Sequence, residues 1–205
     1  MTEIQLIDFA RDTSYLDGPL PVPPYPHTPQ FPDWPSAWKG LESILPALMA
    51  HFMVAPNRAL EFGVEYGYST AALAQLFRSV TGVDTFEGDM HSDLHVGDRT
   101  MPRDSFLEYT RRNLEHWPNI RLVAANYQDW ILSDNSRYDL IHVDIVHTFE
   151  DTFACGRWAA DRAPVVIFHD TESFSEVKRA VAAIAGQTNK HFYNYPHFYG
   201  LGILA

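Results

Sequence analysis

The chain has 205 residues, 46% of them hydrophobic, and a formal net charge of −11. That length holds one α/β domain with a real core. The acidic balance argues against nucleic acid as a partner, which needs a basic face, and suits a neutral or basic small molecule or solubility alone. The N-terminal stretch carries Asp8, Arg11, Asp12 and Asp17 and no apolar segment of the kind a secretory leader has. No run of about 18 apolar residues marks a membrane span. Cys155 is the single cysteine, so no internal disulfide forms, and a buried thiol in a reducing, cytoplasmic compartment is expected.

In chain order, residues 1–36 read as a proline-rich arm and residues 37–205 as the folded domain. Eight of the 14 prolines fall in 18–36, interleaved with Tyr25, Phe31 and Trp34. Such a segment is neither helix nor central strand. It reads as an extended arm packed on the domain, with a lid over a pocket as the alternative. The spacing of Leu41, Ile44, Leu45, Leu48 and Phe52 predicts a helix over 37–53, bent or restarted at Pro46. Apolar runs then predict strands at 58–62, 79–83, 120–124, 138–143 and 164–168. Amphipathic helices are expected at about 69–78, 103–116, 149–161 and 173–185. Two short strands, 190–194 and 200–204, close the chain as a hairpin around Pro196. Alternation of this kind predicts a doubly wound, mostly parallel sheet.

The densest information lies in Leu60-Glu61-Phe62-Gly63-Val64-Glu65-Tyr66-Gly67-Tyr68-Ser69-Thr70. It reads as a strand, a turn with two glycines, and a helix start. A dinucleotide fingerprint would place a glycine where Glu65 stands, and its helix would face a pyrophosphate. Glu61 and Glu65 would repel that group. They suit a cationic ligand, and S-adenosylmethionine (SAM) carries an ammonium and a sulfonium without phosphate. A tight turn with close helix packing is the alternative account of the glycines.

Ligands of open α/β sheets bind beyond the carboxyl ends of the strands, so the residues just past each strand are the next candidates. Asp84 follows the second strand, where a carboxylate can accept both ribose hydroxyls of an adenosine, or cap a loop. Asn126 and Tyr127 follow the third, where Asn126 could cap a following helix. Asp144 ends the fourth strand, and His169 and Asp170 end the fifth. Neighbouring parallel strands lie about 4.8 Å apart, so these three converge as a divalent-metal constellation, Mg²⁺ or a softer ion such as Mn²⁺. Helix capping by Asp170 and a core role for His169 are the plainer readings. His142, inside the fourth strand, reads as a hydrogen-bonded packing residue. His91, His95 and the aromatic hairpin residues Tyr193, Tyr195, His197, Phe198 and Tyr199 could stack on an acceptor or simply pack.

The spacing E-x-G-x-x-x-G-x-S/T, in Glu61, Gly63, Gly67, Ser69 and Thr70, resembles the first motif of class I SAM-dependent methyltransferases. The stretches V-D-T-F-E-G-D, H-V-D-x-x-H-T-F-E-D and I-F-H-D resemble a subgroup of small enzymes related to macrolide-sugar O-methyltransferases, many of them Mg²⁺-dependent. Over roughly residues 40 to 205 the resemblance implies a seven-stranded sheet of order 3-2-1-4-5-7-6 with a terminal antiparallel hairpin. It implies SAM contacts from Glu61, Gly63, Gly67, Ser69, Thr70, Asp84, Asn126 and Tyr127. Asp144, with the strand-5 pair His169 and Asp170, stands where the wider group holds its metal, and His147 where it has a general base. His169 is the alternative base. Ile145 replaces a usual glycine, and Asp161-Arg162-Ala163-Pro164 replaces a usual Pro-Gly-Gly. The implied activity is O-methylation of a hydroxyl on a small molecule, a sugar or natural-product scaffold. A metal-dependent hydroxylase-like enzyme, or a non-catalytic SAM-binding protein, is the alternative on the same fold. Homo-oligomerisation stays open.

Overall fold

The structure, a computed structural model, describes residues 13–15, 31, 34, 36–87 and 103–205, with backbone alone for 13–15 and 103–105. Most of the proline-rich arm, His91 and His95 lie outside the described residues. The parallel strands are β2 (Arg58–Phe62), β3 (Ser79–Asp84), β4 (Ile120–Ala124), β5 (Leu140–Val143) and β6 (Val165–Phe168). The hairpin strands are β7 (Phe192–Tyr195) and β8 (Leu201–Leu204), with β8 antiparallel to both β6 and β7. Their order is β4-β3-β2-β5-β6-β8-β7, the arrangement 3-2-1-4-5-7-6 when counted from β2. An eighth, three-residue strand, β1 (Thr13–Tyr15), pairs in parallel with the outer edge of β7. It falls inside the segment read as an arm.

Six helices join the described strands: α1 (Leu41–His51), α2 (Tyr68–Ala74), α3 (Arg103–Asn113), α4 (Tyr127–Ser133), α5 (Phe149–Ala160) and α6 (Ser175–Gly186). Side-chain alternation along the strands divides the core between two faces. Ala59, Leu140, Val165 and Ile167 join α1 and α2 in one cluster. Leu60, Phe62, Ile141, Val143, Val166 and Phe168 join α5 and α6 in the other. Burial on both faces makes β5 and β6 wholly buried, hence runs that are apolar throughout in β6 and broken only by His142 in β5. Pro46 sits within α1, which runs unbroken through it. α2 ends at Ala74, four residues short of the expected 78. α4 is not among the helices expected from periodicity. Its apolar stripe, the half-buried Tyr127, Trp130 and Ile131 on the second core cluster, spans little more than one turn and is too short to show a helical period.

The strand order reverses between β2 and β5, which are paired in the centre of the sheet. This is the switch point at which the fold opens a crevice beyond the strand ends.

Candidate active site

A cavity of about 570 Å³ lies at that crevice, within the range of small-molecule sites. Its walls come from the turn after β2, the tips of β3, β5 and β6, the start of α4, and Trp38 just before α1.

The glycine turn is held from three sides. Asp84, at the tip of β3, accepts from Val64 N at 2.7 Å and Glu65 N at 3.0 Å through Oδ2, and from Phe86 N at 2.7 Å through Oδ1. Behind the turn, Thr110 Oγ1 donates to Glu65 O at 2.8 Å and Asn113 Nδ2 to Tyr66 O at 3.0 Å. Gly63 (φ +85°) approaches the β5 tip so closely that a Cβ there would stand 1.6 Å from the carbonyl oxygen of Asp144. Close strand approach therefore accounts for this glycine. Gly67 (φ +90°) makes room for Leu114. Glu65 turns the chain in the left-handed region, at φ 49°, on the cavity wall.

The expected SAM residues divide into two groups. Gly63, Ser69, Asp84, Asn126 and Tyr127 line the cavity, as does Glu65. Glu61 and Thr70 are completely buried beneath it. Thr70 Oγ1 donates to Glu61 Oε2, and the other Glu61 oxygen lies 2.9 Å from His142 Nδ1. Glu61 thus acts inside the fold, tying β2 to α2 and β5, while Gly67 serves packing. The same pair gives His142 the hydrogen-bonded role expected of it. Asn126 takes the capping role: its side chain accepts from Gln128 N at 3.0 Å at the start of α4. Tyr127 donates to Asp151 Oδ1 at 2.5 Å, and Thr148 Oγ1 donates to Asp151 Oδ2 at 2.6 Å. Burial, then the Asp151 contact, pushes the Tyr127 hydroxyl well above its usual range, so Tyr127 stays a neutral donor.

The opposite wall carries the titratable cluster. Asp144 follows β5, and His169 and Asp170 follow β6, their ligand atoms all within 4.8 Å of one another. His169 Nδ1 lies 3.1 Å from Asp144 Oδ2 and 3.4 Å from Asp170 Oδ2. His147 Nε2 lies 2.9 Å from Asp170 Oδ2 and 3.6 Å from Asp144 Oδ1. Asp170 adopts φ 63°, a backbone state rare outside glycine. The His147 ring stacks on Phe174 at 4.1 Å. Burial disfavours charge on Asp144, but the His169 charge and the hydrogen bonds from His147 and His169 hold its carboxyl well below the usual range. Burial likewise opposes charge on His147, yet Asp144 and Asp170 outweigh it and push that imidazole up to about 9. At neutral pH His147 therefore stands as a cation between two carboxylates.

Two walls escaped sequence reasoning. Trp38 is 3% exposed, stacks on His169 with ring centroids 4.0 Å apart, and donates from Nε1 to Asp144 Oδ2 at 3.2 Å. Tyr66 and Phe174 add further aromatic surface. Trp38 and Asp144 are 106 residues apart in sequence, so no local pattern could pair them. Tyr199, already a candidate stacking residue, does reach the cavity.

A doubly wound sheet of this order, with a glycine turn and carboxylates at the switch point, defines a class I methyltransferase domain. A family model described as a methyltransferase domain matches residues 60–171, more than half of the chain. The chain belongs to that methyltransferase family, and it is a SAM-dependent methyltransferase. Three solved structures share the fold. A candidate O-methyltransferase from Klebsiella pneumoniae is 16% identical, with TM-score 0.55, over 80% of this chain and 79% of that one. A candidate caffeoyl-CoA O-methyltransferase from Staphylococcus aureus is 16% identical, with TM-score 0.60, over 80% and 81%. A Podospora anserina methyltransferase with S-adenosylhomocysteine bound is 13% identical, with TM-score 0.57, over 85% and 82%. No curated protein matches the chain in sequence. Among the described residues no helix is long and apolar enough to cross a membrane.

Proposed function

We propose that this methyltransferase transfers the methyl group of SAM to a hydroxyl of a small molecule, a sugar or natural-product scaffold, with a divalent cation at Asp144, His169 and Asp170. The observation that carries the reading is the convergence of those three side chains and His147 on one wall of a cavity whose other wall is the glycine turn. The donor set fits a divalent ion: the two carboxylates suit Mg²⁺ or Mn²⁺, and the His169 imidazole favours the softer of the two. The positive charge of His147 fills the cation's place between the carboxylates. A bound divalent ion would lower the pKa of the acceptor hydroxyl and orient it.

The remaining work falls to the chain itself. Methyl transfer is an in-line displacement, so positioning dominates, and orientation can supply roughly 7–11 kcal/mol. The prefastened turn at 63–67 gives SAM a rigid floor, with Glu65 beside its ammonium. Three acceptor positions of Asp84 are already used by backbone N–H groups. A carboxylate offers about four, so Asp84 can give the ribose at most one more. Ser69 and Tyr127 complete the SAM wall, with Asn126 beside them at the adenine end. His147 is the proposed base for the acceptor proton. As a cation it already holds a proton, so it acts as a base only after losing it, which relief of its pairing with Asp144 and Asp170 favours.

The test is transfer of radiolabelled methyl from SAM to hydroxylated acceptors, with and without chelator, alongside mass spectrometry of ligand retained on purification. Recovered S-adenosylhomocysteine and chelator-sensitive transfer to oxygen are the expected results. Chelator-insensitive transfer would remove the cation, and transfer to nitrogen alone would remove the acceptor class. His147→Ala should slow transfer by about 10²–10⁴-fold, the usual contribution of a positioned base, with SAM affinity by calorimetry unchanged. Undiminished turnover would take His147 out of the chemistry.

A further inference from the structure

We propose that Trp38 is a gate on the acidic cluster: its indole N–H occupies the Asp144 oxygen a divalent cation needs, and loading the cation requires the indole to let go. The inference rests on the divalent reading above. Asp144 Oδ2 receives Trp38 Nε1 at 3.2 Å and His169 Nδ1 at 3.1 Å. A carboxylate oxygen has two lone pairs, so Oδ2 has none left for an ion. Its companion Oδ1 faces His147 Nε2 at 3.6 Å. His169 can stay, because its imidazole is itself a ligand type. The indole cannot, because Trp Nε1 is a donor only.

The surroundings give the indole a closed position and a pivot. Its ring lies flat on His169 and edge-on to His142, 5.3 Å away. Phe198 lies nearly parallel to it at 6.5 Å. Two residues later Gly40 sits at φ 103°, its N–H directed at Glu42 Oε2 (3.0 Å) and at Tyr68 Oη (3.3 Å). On the other side Phe31 meets the ring of Tyr68 edge-on at 4.8 Å. Phe31 and Gly40 thus both meet Tyr68, and Trp38 lies between them in the sequence. Rotation of the indole off His169 frees the one lone pair of Oδ2 that it holds.

The test uses the full chain labelled with 5-fluorotryptophan and titrated with Mg²⁺. The Trp38 resonance, one of five, is assigned by its loss in Trp38→Phe or, should that variant not fold, in Trp38→Tyr. The expected result is that this resonance moves most on Mg²⁺ addition. Mn²⁺ affinity read by electron paramagnetic resonance should also be about tenfold tighter in Trp38→Phe, since that variant has no hydrogen bond to a charged group to break. A Trp38 resonance unmoved while ion binds, or equal Mn²⁺ affinity in the two proteins, overturns the gate and leaves the divalent reading standing. No Mn²⁺ binding by either protein overturns both.

Discussion

Asp144→Asn is expected to bind SAM within about threefold of the wild-type affinity while transferring methyl at least about a thousandfold more slowly, a barrier change of roughly 4 kcal/mol. The asparagine keeps the shape of the side chain and removes its charge. The glycine turn proposed as the floor for SAM does not depend on that charge. Gly63, Val64 and Glu65 are held by Asp84, Thr110 and the Val83 carbonyl, to which Gly63 N donates at 3.0 Å. The opposite wall does depend on it. Asp144 is the carboxylate shared by Trp38, His169 and His147, and it is one of the two that would hold the cation. Calorimetry with SAM and single-turnover methyl transfer at saturating Mg²⁺ separate the two effects. Loss of SAM binding together with turnover would mean that Asp144 supports the cofactor rather than the acceptor chemistry.

Where the sequence was legible follows from how local each signal is. The strand, turn and helix of 58–74 lie within one stretch of chain, and the apolar runs of β5 and β6 have no polar interruption except His142. The metal candidates were legible through one fold-level rule, that residues just past neighbouring strands meet. That rule brings Asp144, His169 and Asp170 together. It does not tell which face of a strand a side chain takes, and Glu61 went the other way. Glu61 sits one residue before the strand end, fully buried with His142 and Thr70, although its position in the motif resembles a cofactor contact. Nor could it reveal that His147, with an ordinary pKa near 6.5, would be pushed up to about 9 by two carboxylates. That shift depends on distances of 2.9 and 3.6 Å within and between the loops after β5 and β6. α4 was hidden because its apolar stripe spans little more than one turn. β1 was hidden because three residues are too few to show a period.

The two motif glycines make the second large prediction, because the structure gives them unequal reasons to be glycine. Both have positive φ, +85° at Gly63 and +90° at Gly67, so alanine at either should cost about 1–3 kcal/mol in backbone strain. The space around them differs. At Gly67 the nearest atoms to an added Cβ are the Leu114 methyls, 2.8 Å away, and a leucine side chain can rotate aside. At Gly63 the obstacle is the Asp144 carbonyl at 1.6 Å, part of a backbone locked to β2 by Asp144 N donating to Phe62 O at 2.8 Å. Relief there means parting the tips of the two central strands, with loss of that bond and of the burial around Phe62. Gly63→Ala should therefore lose at least about twice the stability that Gly67→Ala loses, out of a total of roughly 5–15 kcal/mol. Urea denaturation of the two variants measures the difference. Any folded Gly63→Ala should also have a displaced Asp144, and so a divalent affinity well below that of Gly67→Ala. Equal losses in the two variants would mean that left-handed strain alone, rather than contact between β2 and β5, fixes glycine at position 63.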